Sequence, residues 1–183
     1  YLREKIELVY PPSPHLKELL DVILTDSRWD MKLLGMQILV EGLALGAFGF
    51  LHQTAGEPLI RDITQRIMQD EARHVAFGVL SLKDHYQGLA GGELTIREDF
   101  VIESSRLLLR DRFLGQEIWE RLGLPQAECE AIASASESMQ LFRRLLFSKI
   151  VPNVKRLGLL TPRVRDAFAK LGILEFESWD ASA

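Results

Sequence analysis

Apolar residues recur at three- and four-residue intervals over long stretches of this chain, and short runs rich in Gly, Pro and Ser separate those stretches. Such spacing is the signature of amphipathic helices, and no segment holds the period-two alternation of a strand. Ser13 before Pro14 resembles a helix start and predicts a helix over 15–24. A long helix follows over 28–54. It closes at Ala55-Gly56-Glu57-Pro58, glycine just past one helix and proline just inside the next, as in a tight corner. A second long helix is predicted over 58–87, a loop at Gly88, Gly91 and Gly92, a third long helix over 95–122 and a fourth over 126–150. Pro152 is expected to stop or kink the fourth. Thr161-Pro162 opens a last short helix that ends near Gly172. Short connections favour antiparallel neighbours. The expectation is therefore one all-α domain over 1–183, with a core helix pair at 28–87 and additional helices at 95–173.

Two polar interruptions carry the chemistry. The first long helix is apolar on every side around Ile38 to Phe50, which marks it as buried, yet Glu41 lies within that stretch. In the second, Glu71 and His74 fall among Ile60, Ile63, Ile67, Val75, Gly78 and Leu82. Residues three apart on a helix project from one face. An ionised carboxylate on a buried face is costly unless it is paired or bound to metal.

Spacing ties the two helices together. Glu41 stands 15 residues before Gly56 and Glu71 stands 15 after it. With about 1.5 Å of rise per residue, the two lie level in an antiparallel pair. Glu41, Glu71 and His74 are thus expected to converge as metal ligands. Carboxylates and an imidazole without thiolate suit iron or manganese. A core hydrogen bond for a glutamate, or plain packing for the histidine, is the bland alternative for each residue alone.

Composition narrows the function classes. Apolar residues make up 47% and charged residues 26% of the 183 positions, an ordinary globular profile. The net charge of −4 argues against nucleic acid as the main partner. The single Cys129 forms no internal disulfide, and the N-terminus has no signal-peptide pattern. The longest apolar run, 38–51, is broken by Glu41 and is short for a membrane span. A cytoplasmic protein with no membrane partner is expected.

The strings Val40-Glu41-Gly42-Leu43-Ala44 and Gln69-Asp70-Glu71-Ala72-Arg73-His74-Val75-Ala76-Phe77-Gly78 resemble the third and fourth helices of the ferritin-like superfamily of dinuclear carboxylate proteins. Asp-Glu-Ala-Arg-His is similar to the branch holding the ribonucleotide reductase small subunit and the aminobenzoate-type N-oxygenases. The resemblance covers about 28–87. It implies a partial ferritin-like bundle, two iron ions (or iron and manganese) in the complete protein, and oxidation of a small-molecule substrate by dioxygen. It gives Glu71 the role of bridging carboxylate, Glu41 that of terminal or bridging carboxylate and His74 that of terminal ligand. It makes Asp70 and Arg73 the residues that orient those ligands; a solvated helix face is the plainer reading of both.

The family pattern needs another Glu and another Glu-x-x-His, and Glu4, Glu7 and Glu18 have no His three residues on. The aminobenzoate branch also carries a His where Ile67 stands here. The chain opens on Tyr1-Leu2-Arg3-Glu4-Lys5, like the tail of a helix already under way, so a fragment truncated at its N-terminus is expected, inactive alone. A homodimer is expected too. The alternatives are a ferroxidase, a helical scaffold with a degenerate or empty site, a mononuclear site, or a site completed across a homodimer. His15, His52, His85, Glu103 and Asp111 are set aside as ligands. The basic residues over 142–170 are read as amphipathic helix chemistry or a partner surface, and 159–173 as a segment that docks back on the bundle.

Overall fold

The computed structural model describes residues 4, 5, 7, 14–110 and 116–179. Every regular element among them is helical. Tyr1, Pro11, Pro12, Ser13 and Asp111 lie outside the described residues.

Helix α1 is Pro14–Thr25 and α2 is Trp29–Leu33. From Leu34 to Val40 the chain widens into a π-helical segment, and α3 continues it from Glu41 to Thr54. Together they form one helix of 26 residues, Trp29–Thr54. By length and composition it is apolar enough to cross a membrane, which the expected run of 38–51 was not. Here it is the central element, packed between α4 (Pro58–Gln87) and α8 (Glu137–Arg156). The Glu57 carboxylate caps α4 by accepting from the Leu59 N–H, with Pro58 in the first turn.

Helix α4 meets its neighbours along Thr64, Met68, Glu71, Val75, Gly78, Leu82 and Tyr86. Their steps of four and three, closing with two steps of four, make a narrow seam of the coiled-coil type. Two glycines sit where α3 and its π-helical lead-in press closely on α8 and α4. A Cβ on Gly78 would lie 2.5 Å from the Gln37 Cβ, and one on Gly46 would lie 2.6 Å from the Leu146 Cα. A side chain at Gly46 would run into the Leu146 backbone and one at Gly78 into the base of the Gln37 side chain, so small residues are required there.

Three boundaries differ from expectation. Helix α5 is Gly91–Arg110, so the third helix starts at the expected loop; Gly91 takes φ +59°, open to glycine without strain. Helix α6 is Gln116–Arg121. The fourth helix divides into α7 (Gln126–Ala135) and α8, because Ser136 leaves the helical region and its hydroxyl caps Met139 N–H. Pro152 does not end α8. The helix runs on to Arg156, with the proline buried in the core and the Asn153 amide donating to the Lys149 carbonyl at 2.8 Å.

The core gathers Leu19, Ile23, Leu34, Ile38, Leu82, Ile150, Val154 and Phe168. Thr161 caps α9 (Pro162–Lys170), and a 3-10 turn covers Leu174–Ser178. Leu159, Val164, Phe168 and Ile173 are fully buried, so this segment does dock on the bundle. Much of the expected basic surface serves that docking: Arg143 donates to the Leu171 carbonyl and Arg165 pairs with Glu177. Beyond Leu43 helix α8 still packs on α3, at Gly46–Leu146 and Phe50–Phe142, while the other side of the α3–α4 pair, where His74 lies, is open.

Candidate metal centre

Glu41 is the first residue after the π-helical segment. Its N–H donates to the Met36 carbonyl five residues back, not to the residue four back. One extra residue in a turn rotates everything after it about the helix axis. Wide turns of this kind recur at functional sites because they re-aim a side chain at a cost in backbone bonding. Nothing in the hydrophobic pattern announces it.

The hairpin at 55–57 folds α4 back along α3, and the two glutamates meet. One donor atom each from Glu41, Glu71 and His74 lies within 4.8 Å of the other two. His74 Nδ1 stands 3.2 Å from Glu71 Oε2 and 3.7 Å from Glu41 Oε1. The equal distances to Gly56 thus do bring the three together.

Their burial is graded, unlike the uniform burial expected. The Glu41 side chain is 15% exposed, Glu71 22% and His74 57%. His74 leaves the α4 seam and looks onto the open face. Glu41 Oε2 is buried with no hydrogen-bond partner, and so is Gln37 Oε1, four residues earlier. Burial pushes the Glu41 carboxyl above its ordinary pKa; His74 opposes the rise and Glu71 adds to it. A carboxylate oxygen desolvated without a donor costs about 1–3 kcal/mol, so its retention calls for a compensating ligand. A cation among Glu41, Glu71 and His74 supplies one. Two carboxylates and one imidazole are a donor set for iron or manganese, and the residues fit such an ion.

Asp70 and Arg73 do not reach this cluster. They pair with each other on the exposed side of α4. His52 is also apart, its Nδ1 at 3.1 Å from the Arg61 carbonyl. Glu103 is exposed and paired with Arg106.

A second polar cluster was not foreseen. Asp30 is 2% and Arg97 3% exposed, and the guanidinium holds the carboxylate with two bonds of 2.9 and 3.1 Å. His85, expected exposed, has a buried Nε2 at 3.7 Å from Asp30 Oδ2 and a ring 4.9 Å from that of Trp29. Burial raises the Asp30 pKa, but Arg97, with help from His85, outweighs it and holds the carboxyl below its usual range. The sequence carried a signal, since Asp30, Leu34 and Ile38 follow at steps of four on the buried stripe. This cluster ties α2 to α4 and α5.

No family model, curated protein or solved structure matches this chain.

Proposed function

We propose that the protein is a non-haem metalloprotein of the ferritin-like kind, whose complete site holds two iron ions, or iron and manganese, and serves an oxidoreductase acting with dioxygen on a small molecule. The observation that carries this reading is the convergence of Glu41, Glu71 and His74 at one level, with a buried Glu41 oxygen that no protein donor satisfies. A redox-active metal supplies electron transfer to dioxygen, chemistry beyond any side chain in the cluster. The protein's share is positional. Glu41 and Glu71 offer negative charge from two helices, and their fixed heights hold the donors in register. His74 offers a neutral nitrogen from the open side. Val75, buried one turn after Glu71 on the same face of α4, limits water on that side and strengthens each charge interaction there.

A scaffold with a degenerate site is the second reading, favoured by the exposure of the His74 ring. Metal analysis separates the two. After anaerobic incubation with iron(II) or manganese(II) and desalting, the chain is expected to retain metal, and Glu71→Ala to retain none. Equal metal in the variant refutes the ligand assignment. No retained metal in either chain favours the scaffold.

A further inference from the structure

Gln37 lies one turn before Glu41, inside the π-helical segment. Four residues make slightly more than one turn of α-helix and slightly less than one of π-helix, so the two side chains share a side of the helix. That side faces α4. A Cβ on Gly78 would stand 2.5 Å from the Gln37 Cβ and 3.4 Å from its Cγ, so the bare glycine is what admits the Gln37 stem. Gly78 in turn lies four residues after His74 on α4. Gln37 therefore occupies the α3–α4 seam one turn from the metal cluster along both helices, on the side of the buried Leu34 and Leu82.

Two oxygens in this seam are buried and accept no hydrogen bond from any described residue: Glu41 Oε2 and Gln37 Oε1. Both are acceptors, and an ionised carboxylate and an amide carbonyl cannot relieve each other. What satisfies them is a cation, or a donor from outside the described chain. Glu41, Glu71 and His74 already fix where a cation sits. The Gln37 carbonyl is the remaining orphaned acceptor in the same seam. We infer that Gln37 is a fourth protein donor of the metal centre, its side-chain carbonyl oxygen binding the same cation as Glu41, Glu71 and His74. The inference rests on the metal reading above and enlarges its donor set.

The choice of an amide bears on which metal is held. A carbonyl oxygen is a hard, neutral donor of the kind manganese(II) takes alongside carboxylates, and it adds no charge to that of Glu41 and Glu71. Manganese(II) prefers an octahedral, oxygen-rich set, whereas zinc(II) is satisfied by three protein donors and a water. A fourth side chain therefore tilts the centre away from zinc and toward manganese or iron.

Three measurements on the same preparations test this: manganese(II) binding from the EPR signal of the free ion, zinc(II) binding by competition with a chelating dye, and urea unfolding in chelator. Gln37→Leu is expected to weaken manganese(II) binding about tenfold or more and zinc(II) binding much less. Its chelated form is expected to unfold at an equal or higher urea concentration, because an unsatisfied buried oxygen is gone. Gln37→Glu keeps a donor oxygen at that position and is expected to bind manganese(II) at least as tightly as the parent chain. Unchanged manganese(II) binding in Gln37→Leu, with Glu71→Ala abolishing it, overturns the fourth donor and leaves the three-residue site standing. A loss equal for manganese(II) and zinc(II), or one that Gln37→Glu shares, marks a distorted site rather than a missing donor and overturns it too. A chelated Gln37→Leu chain that unfolds at lower urea shows an amide bonded within the fold and does the same. A parent chain that takes up no manganese(II) at all overturns the metal reading and this inference with it.

Discussion

Replacing Glu41 by methionine tests whether the glutamate is there for a ligand or for the fold. Methionine keeps the unbranched length, suits a helix and fills an apolar setting without a polar end. In the metal-free chain the glutamate has one oxygen buried and unpartnered, and the imidazole of His74 stands 3.7 Å from the other. Removing the unsatisfied oxygen returns about 1–3 kcal/mol of desolvation cost. The lost contact with the exposed imidazole is worth at most about 1 kcal/mol. The balance is a gain of about 0–3 kcal/mol, with a midpoint of about 1.5 kcal/mol. For a chain of this size the midpoint corresponds to a rise in Tm of roughly 3–6 °C. Urea and thermal unfolding followed by circular dichroism, both in chelator, give the number; metal analysis of the same preparations shows the ligand lost. Higher stability together with lost metal is the signature of a residue retained at the expense of the fold. A stability loss of about 1 kcal/mol or more refutes the reasoning. It means that Glu41 is satisfied in the native protein and that its buried oxygen does not point to a ligand.

Four further outcomes follow, three from the packing and one from an ion pair. Gly46→Ala drives a methyl to within 2.6 Å of the Leu146 backbone and is expected to cost about 2–3 kcal/mol in urea unfolding. Gly49→Ala on the same helix meets nothing closer than the Met68 sulfur at 3.7 Å and is expected to stabilise by about 0.5–1 kcal/mol. Arg97→Met leaves the Asp30 charge buried and unpaired, with an expected loss of about 3–5 kcal/mol; adding Asp30→Leu is expected to recover most of it, and a double variant no better than the single refutes the pairing. Asp26 is held at about 2 by the Arg28 guanidinium, against an ordinary value of 3.8. Because the folded value is the lower one, its contribution is full above pH 4 and is lost as pH falls toward 2. Unfolding midpoints between pH 5 and pH 2 are expected to fall less steeply in Asp26→Asn than in the parent chain.

The all-helical character was legible because helix burial is written in a local period. Apolar residues at three- and four-residue steps, with Pro58 and Pro162 near helix starts, locate most elements without knowledge of the packing. The level of Glu41 with Glu71 was legible for a similar reason: rise per residue is constant, so equal counts from Gly56 become equal heights. Boundaries set by single hydrogen bonds were not legible. Ser136 splits the expected fourth helix through one side-chain cap, and Pro152 passes unbroken because the core around it holds the helix.

Three matters belong to the tertiary structure alone. The π-helical segment before Glu41 is a backbone register, and the side-chain pattern is nearly the same with or without one wide turn. Asp30 and Arg97 are 67 residues apart, and only packing makes them a buried pair. The exposure of His74 and Phe77 depends on which side of α4 has neighbours, whereas the sequence shows only that both sides are apolar enough to have them. Local periodicity fixes which residues share a face. Which faces are covered is decided by contacts distant in the chain, and here that decides whether Glu41, Glu71 and His74 form a buried site or an open one.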